Sequence, residues 1–309
     1  MLSDWSVERV QHVARTFLQG AGLAEPHAKL IRFYQNAIFH LPDNRLTLRI
    51  YGPENARKRA ALMVSFARFL EERDFPSVRL SRQFADQPFD VLGTQVSIWE
   101  WIDADEHVTK QPRAFGAILR ALHSVTNGAG FHAERFDPIA KIAERLDLLE
   151  HEKRLPASHI GTLRDAFDRV AALAAGLDKA TFGAGLLHGD ALIGNTILSG
   201  GRLVLIDFDS VGEGPREWDL APTFVTATRF RRQMHVWTEF LAGYGADTVA
   251  LGGVEAAGIV KQLSMTVALS MSRGLSPAVD QEIDHRIRCW SDWDLQTQWH
   301  SPTLLPATE

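Results

Sequence analysis

Two short stretches carry the residues that could do chemistry. Leu186-Leu187-His188-Gly189-Asp190-Ala191-Leu192-Ile193-Gly194-Asn195 sets a carboxylate, Asp190, five residues before an amide, Asn195. Ile206-Asp207-Phe208-Asp209 follows and adds a second carboxylate, Asp207. Between them, Thr196-Ile197-Leu198-Ser199 and Arg202-Leu203-Val204-Leu205-Ile206 flank Gly200-Gly201, which predicts a β-hairpin with a Gly-Gly turn. A hairpin returns the chain to the end it left, so Asp207 is expected near Asp190 and Asn195. Two carboxylates and an amide offer hard oxygen donors, which suit Mg²⁺ rather than zinc or copper. Phosphoryl transfer needs such a kit: one carboxylate near the acceptor hydroxyl, and an amide and a carboxylate on the metal that bridges the phosphates. Singly, these residues read as ordinary turn residues. The spacing and the hairpin together favour the chemistry.

The elements that must position them fall into two halves. Val7, Val10, Val13, Phe17 and Leu18 give residues 5–20 a helical rhythm, stopped by Gly20 and Gly22. Strands are expected at 30–34, 37–41, 46–51 and 95–102, with a turn at Pro42-Asp43-Asn44. A helix over roughly 54–73 presents Leu62, Phe66, Phe69 and Leu70 on one side. This half reads as a small antiparallel sheet with one helix packed on it. Beyond 103 the pattern is helical, with cap signals at Asp137-Pro138, Ser158 and Ser276-Pro277, and the hairpin is its one β episode. The fold class is α+β. The expected domains are 1–102, a β-rich lobe, and 103–309, a helical lobe that carries the stretch from His188 to Asp209.

Composition excludes several other classes. The chain has 309 residues, 33 Lys plus Arg against 38 Asp plus Glu, and 45% apolar residues. That balance argues against nucleic acid as a partner, and the apolar content against a disordered chain. One cysteine, Cys289, permits no intrachain disulfide. No stretch approaches the roughly 20 apolar residues of a membrane span. Met1-Leu2-Ser3-Asp4-Trp5 carries no basic or apolar leader pattern. The expectation is a cytoplasmic protein, monomer or homodimer, with no membrane partner.

His-Gly-Asp, four residues, Asn, then Ile-Asp-Phe-Asp resembles the signature of the aminoglycoside phosphotransferase/choline-kinase-like small-molecule kinases. The resemblance runs from about Ile31 to Trp290 and is sharp between 186 and 221. It implies the bilobal protein-kinase fold, a nucleoside triphosphate donor (ATP or GTP), Mg²⁺ and a small hydroxylated substrate. It makes Asp190 the catalytic base, Asn195 and Asp207 the Mg²⁺ ligands, and His188 a structural histidine. Asp209 is expected to face the substrate or solvent. Asp219, in Trp218-Asp219-Leu220-Ala221, is expected to hydrogen-bond the backbone of the catalytic loop. Asn36 matches the nucleotide-loop position, and Arg49 stands where kinases place a phosphate-binding lysine. Backbone groups of Glu100 and Ile102 would pair with the purine edge, and Ile206 joins the nucleotide-binding set. Leu119-Arg120-Ala121-Leu122-His123 resembles the family's L-x-x-L-H helix.

Two departures stand out. Phe33-Tyr34-Gln35 is not glycine-rich, which shifts phosphate grip toward Arg49 and the metal. The helix position that should give Arg49 a glutamate falls near Met63, with Glu54 upstream. The basic run Arg57-Lys58-Arg59 reads as a solvated helix face. Trp290, Trp293 and Trp299 read as core, and one of Trp99 and Trp101 as core too. The favoured acceptor is an antibiotic hydroxyl (aminoglycoside-like, nucleoside or other sugar-containing). The alternatives are a metabolite kinase of choline, sugar or amino-alcohol type, or an impaired kinase-fold binding protein.

Overall fold

The structure is a computed structural model. It describes residues 5–23, 27–33, 35–53, 56–105, 111–128, 130–179, 181–231, 234–246 and 251–301. Tyr34, Glu54 and the tail after Ser301 lie outside the described residues. In chain order the elements begin with α1 (Val7–Gly20), β1 (Lys29–Phe33), β2 (Asn36–Leu41), β3 (Leu46–Tyr51), α2 (Ala56–Glu71), β4 (Phe89–Val91) and β5 (Thr94–Glu100). Then come α3 (Pro112–Val125), α4 (Pro138–His151), α5 (Ala157–Ala175), β6 (Ala184–Leu187), β7 (Thr196–Ser199), β8 (Arg202–Leu205) and β9 (Gly212–Pro215). The chain continues with α6 (Glu217–Val225), α7 (Met234–Tyr244), α8 (Gly252–Ser270) and α9 (Pro277–Ser291).

The chain forms two compact units: Met1–Lys110 with Gly128–Ala133 and Gly194–Val211, and Gln111–Asn127 with Glu134–Ile193 and Gly212–Glu309. This differs from a single cut after residue 102, and backbone hydrogen bonds give the reason. The hairpin β7–β8 is sewn to the first unit by Leu205 N to Pro76 O (3.0 Å), Val78 N to Leu205 O (3.0 Å) and Asp105 N to Leu198 O (2.8 Å).

In the first unit, an antiparallel sheet runs β1-β2-β3-β5-β4. Strand alternation sorts β3 between two faces. Leu46, Leu48 and Ile50 join Phe39, Leu41, Val96 and Ile98 in one core cluster. Val10, Val13, Phe17 and Leu18 of α1 complete that cluster, so this sheet carries a second helix beyond the one expected. Ser6 caps α1, its Oγ accepting from Arg9 N at 3.2 Å. The other parity of β3 holds Arg49 and Tyr51. Tyr51 is fully buried; its hydroxyl lies 3.0 Å from Ser97 Oγ and 3.5 Å from Met63 Sδ on α2.

The second unit is helical around Ile142, Leu146, Leu163, Val170, Leu263, Val267, Ile287 and Trp290. Trp299 is in this core and Trp293 packs against it. Asp137 and Ser276 cap α4 and α9, accepting from Ala140 N (2.9 Å) and Val279 N (3.3 Å). Ser158 does not cap α5: that helix begins at Ala157 behind Pro156, which leaves Ser158 in its first turn. A second β episode, not expected, pairs β6 with β9. Helices α3 and α7 approach so closely that a Cβ at Gly116 would run into Phe240 O, and one at Gly243 into Arg113 O. Only glycine permits that approach.

Candidate active site

In the first unit the constellation starts from Arg49. Its neighbours on β2 and β5 are Ile38 and Ser97. The guanidinium is buried, and Nη2 donates to Asp207 Oδ1 (3.1 Å) and to Asp209 Oδ2. Burial opposes its charge, but Asp209, Tyr51 and Asp207 more than offset that and hold its pKa above the ordinary arginine value. Asp209 Oδ2 also accepts from Asn36 Nδ2 (2.7 Å), and Arg59 lies 3.9 Å away. Asn36 Oδ1 in turn accepts from Arg59 and from Gly52 N (3.3 Å). Asp209 is therefore a hub of this network, 19% exposed rather than in a solvated loop. Arg59 belongs to the network as well; it is 18% exposed where Arg57 is 85% exposed. No carboxylate from α2 meets Arg49 among the described residues; the hairpin supplies its acidic partners.

The hairpin itself follows from its turn. Gly200 and Gly201 both have positive φ (56° and 73°), the conformation a two-residue type I′ turn requires. Asp105 fastens that turn, Oδ1 accepting from Gly200 N and Oδ2 from Gly201 N, each at 2.8 Å. At the open end, Ile206 N donates to Asn195 O at 3.1 Å, which extends the β7–β8 register by one pair. Asn195 and Asp207 thus emerge side by side. Asp207 sits at φ 69°, a left-handed conformation that Asp tolerates better than most residues. Its two oxygens face cations, Arg49 on one and Arg32 Nη1 at 3.7 Å from the other. The carboxylate and the neighbouring amide are hard oxygen donors of the kind a divalent ion takes, with Arg49 and Arg32 standing at the carboxylate oxygens in this structure.

Of the expected purine-edge groups, Glu100 N already donates to Arg79 O (2.9 Å). Strand β5 ends at Glu100, and Ile102 lies beyond it. Among the described residues the Ile102 amide donates to no backbone carbonyl. Trp99 is the core ring; its Nε1 donates to Ser97 Oγ at 2.7 Å. Trp101 stacks on His40 with centroids 3.6 Å apart.

In the second unit the constellation is organised by Asp219 on α6, which is fully buried. Asp219 Oδ2 accepts from His188 N (2.7 Å) and Oδ1 from Gly189 N (2.8 Å). His123 Nε2 lies 2.9 Å from Oδ2, and its Nδ1 lies 2.8 Å from Tyr244 Oη. The carboxylate calls for a proton on Nε2, so Nδ1 accepts from the tyrosine hydroxyl. Burial pushes the Tyr244 hydroxyl up to about 12, which keeps it a donor. The close α3–α7 contact places His123 and Tyr244 to make this relay. Gly189 has φ 80°, which turns the chain between the clamped amides and Asp190. His188 is fully buried, and its Nδ1 lies 3.4 Å from Asp190 N, so it braces the loop. Asp190 is 40% exposed and bonds Lys261 Nζ of α8 at 3.0 Å. Lys261 had no signal in the sequence beyond its charge.

Residues 34–255 match the phosphotransferase enzyme family. No curated protein matches the chain. Solved structures of similar fold include amicoumacin kinase hAmiN in complex with AMP-PNP, Ca²⁺ and Ami, at 15% identity over 94% of this chain and 97% of that one, TM-score 0.74. Another is choline kinase LicA from Streptococcus pneumoniae, at 17% identity over 91% and 99%, TM-score 0.66. A third is aminoglycoside phosphotransferase APH(3'')-Id from Streptomyces rimosus ATCC10970, at 18% identity over 82% and 98%, TM-score 0.61. These identities speak for the α+β, protein-kinase-like fold. The family match extends over most of the chain and takes in both constellations: the chain belongs to the phosphotransferase enzyme family, as a small-molecule kinase that phosphorylates a hydroxyl group.

Proposed function

We propose that the enzyme transfers the γ-phosphoryl group of ATP or GTP to a hydroxyl of a small molecule, with an antibiotic of sugar-containing or nucleoside type as the favoured acceptor. Asp190 accepts the hydroxyl proton as the oxygen attacks. Asn195 and Asp207 would hold Mg²⁺, which would supply countercharge to the phosphates. Arg49 donates to those phosphates, and a guanidinium can do so through two N–H groups at once. Asn36, Glu100, Ile102 and Ile206 belong to the nucleotide side. The observation that carries this reading is the clamp of Asp219 on the amides of His188 and Gly189, at 2.7 and 2.8 Å. It fixes the loop immediately before Asp190, and pre-set geometry is what such a transfer asks of its protein. That hAmiN was solved with AMP-PNP and Ca²⁺ supports a nucleotide and a divalent ion here.

The test is nucleotide release with Mg²⁺, ATP and GTP against a panel of hydroxylated antibiotics and metabolites. Turnover with one acceptor is expected, with loss of at least 10³-fold (~4 kcal/mol of barrier) in Asp190→Ala and retained nucleotide binding. Unchanged turnover in that variant would remove Asp190 as the base. No nucleotide binding by the wild type would favour the binding-protein reading.

A further inference from the structure

We infer that Lys261 is a positioning residue for the catalytic carboxylate, and that it selects an acceptor with no ammonium group beside the reacting hydroxyl. This rests on the reading of Asp190 as the base. Lys261 Nζ lies 3.0 Å from Asp190 Oδ1, with the lysine 24% and the aspartate 40% exposed. An ion pair this close ties one carboxylate oxygen to α8. The loop is tied from its other side by Asp219, so Asp190 is held at two points. Lys261 comes from the middle of a 19-residue helix whose neighbours Val260 and Leu263 are fully buried. Its backbone is therefore part of the rigid scaffold, and the side chain carries the charge to the loop.

The charge has a consequence for what binds. An acceptor hydroxyl delivered to Asp190 arrives within a few ångströms of a fixed ammonium. A second ammonium on a neighbouring carbon of the substrate would find Asp190 already paired, so it would have to compete with Lys261 for that carboxylate rather than be drawn in by it. A carboxylate, carbonyl or neutral hydroxyl would be tolerated or drawn in. The acidic cluster that could have served a polycation is already neutralised. Arg273 bonds Asp284 at 2.5 Å and lies 3.7 Å from Asp280, and Gly274 N donates to Asp280 at 2.8 Å. Glu282 is likewise paired, with Arg286 at 2.6 Å. The acceptor class is thus a hydroxylated compound that is neutral or anionic around the reacting hydroxyl.

The experiment compares Lys261→Met, Lys261→Arg and Asp190→Ala with the wild type, using water and the best acceptor of the panel as phosphoryl acceptors. Lys261→Met is expected to lower kcat about tenfold with the KM for ATP changed less than twofold, and Lys261→Arg to restore most of the loss. Thermal melting of each variant separates folding from function. If Asp190→Ala is inactive while Lys261→Met is fully active, the inference is overturned and the assignment of the base stands. If Asp190→Ala keeps its activity, the assignment itself fails and takes the inference with it, as does absence of turnover by the wild type on both acceptors. Loss in both lysine variants with a matching fall in melting temperature marks a merely structural role and also overturns it. On the panel, paired acceptors decide the charge selection: glycerate and glycerol against ethanolamine and choline, with neutral against amino sugars. A best acceptor that carries an amine next to the phosphorylated hydroxyl would refute it.

Discussion

The two constellations handle charge in opposite ways. In the first unit, Arg49, Arg59 and Arg32 face Asp207 and Asp209, so cations and carboxylates from two strands, a helix and a hairpin neutralise one another. In the second, Asp219 is buried, has no arginine or lysine paired to it among the described residues, and is satisfied by two backbone amides and a histidine N–H. Ion pairs between side chains can exchange partners: on the proposed function, phosphates would compete with Asp207 and Asp209 for Arg49, and a metal would compete with Arg49 for Asp207. Backbone amides clamped on a buried carboxylate have no such alternative. On the proposed function, the first arrangement suits groups that would rearrange when a nucleotide and metal arrive, and the second suits a base that would have to stay where it is.

If that contrast holds, the largest effect comes from breaking the clamp. Asp219→Ala strands two buried amides and His123 at once. It is expected to cost about 4 kcal/mol, since each buried donor left without a partner costs about 1–3 kcal/mol, and to abolish turnover. Asp219→Asn keeps the shape and one acceptor oxygen, and is expected to recover roughly half of that loss, each hydrogen bond to the charged group being worth about 1.5–3 kcal/mol. Urea unfolding of the three proteins measures both figures. An alanine variant within about 0.5 kcal/mol of the wild type, the scatter of inconsequential surface changes, would show that the clamp does not organise the loop.

Arg49→Ala probes the exchangeable side. Asp209 and Asp207 are about a fifth exposed, so water can partly replace the guanidinium. The expected loss is about 3 kcal/mol, the low end for a buried pair, with nucleotide affinity down at least tenfold (about 1.4 kcal/mol). Arg49→Lys should restore stability better than affinity, because an ammonium cannot reproduce the guanidinium's paired N–H groups. Equal restoration of both would remove the phosphate role.

What was legible in the sequence follows the same division. The hairpin could be read because Gly-Gly between two apolar runs leaves one turn geometry open, and the caps at Asp137 and Ser276 because a side-chain acceptor followed by proline is a local signal. Arg59 could not. Its neighbours Arg57 and Lys58 mark a solvated helix face, and only the fold decides that position 59 turns toward Asn36. Strand β9, Gly212-Glu213-Gly214-Pro215, has almost no β propensity; it is a strand because β6 offers it a partner, and a side chain at Gly212 would be tight against Phe136 and Glu134. The Lys261–Asp190 pair spans 71 residues of sequence with nothing local to announce it. Local chemistry was readable; among the partners that tertiary packing supplies, the Asp219 clamp was expected from the family resemblance, while Arg59 and Lys261 had no local signal.

Tyr51 sharpens the comparison through pH. Burial pushes its hydroxyl up to about 12 from 10.0. The folded state therefore keeps the proton where the unfolded chain has lost it, so the stabilisation is whole below pH 10 and drains away as pH rises to 12. The shift corresponds to about 3 kcal/mol over that window. Tyr51→Phe is expected to flatten this alkaline limb while losing only about 1 kcal/mol at neutral pH, the worth of one hydrogen bond. Denaturant midpoints at pH 8, 10 and 11 show it, and parallel slopes for the two proteins would contradict it.

The smallest effect is expected where the hairpin is pinned from outside. Asp105 gives one oxygen to Gly200 N and the other to Gly201 N, both at 2.8 Å and exposed. Water can replace either bond, so Asp105→Ala should cost only about 1 kcal/mol. Its value is diagnostic. The turn lies at the far end of β7–β8 from Asn195 and Asp207, and the Gly-Gly turn holds its conformation without the aspartate. If the open end is fixed by its own bonds, from Ile206 N to Asn195 O and from Arg49 to Asp207, metal-dependent nucleotide binding is unchanged in Asp105→Ala. A tenfold weakening would mean instead that the whole hairpin moves as one lever, and that the exchangeable side of the enzyme is held less firmly than its ion pairs imply.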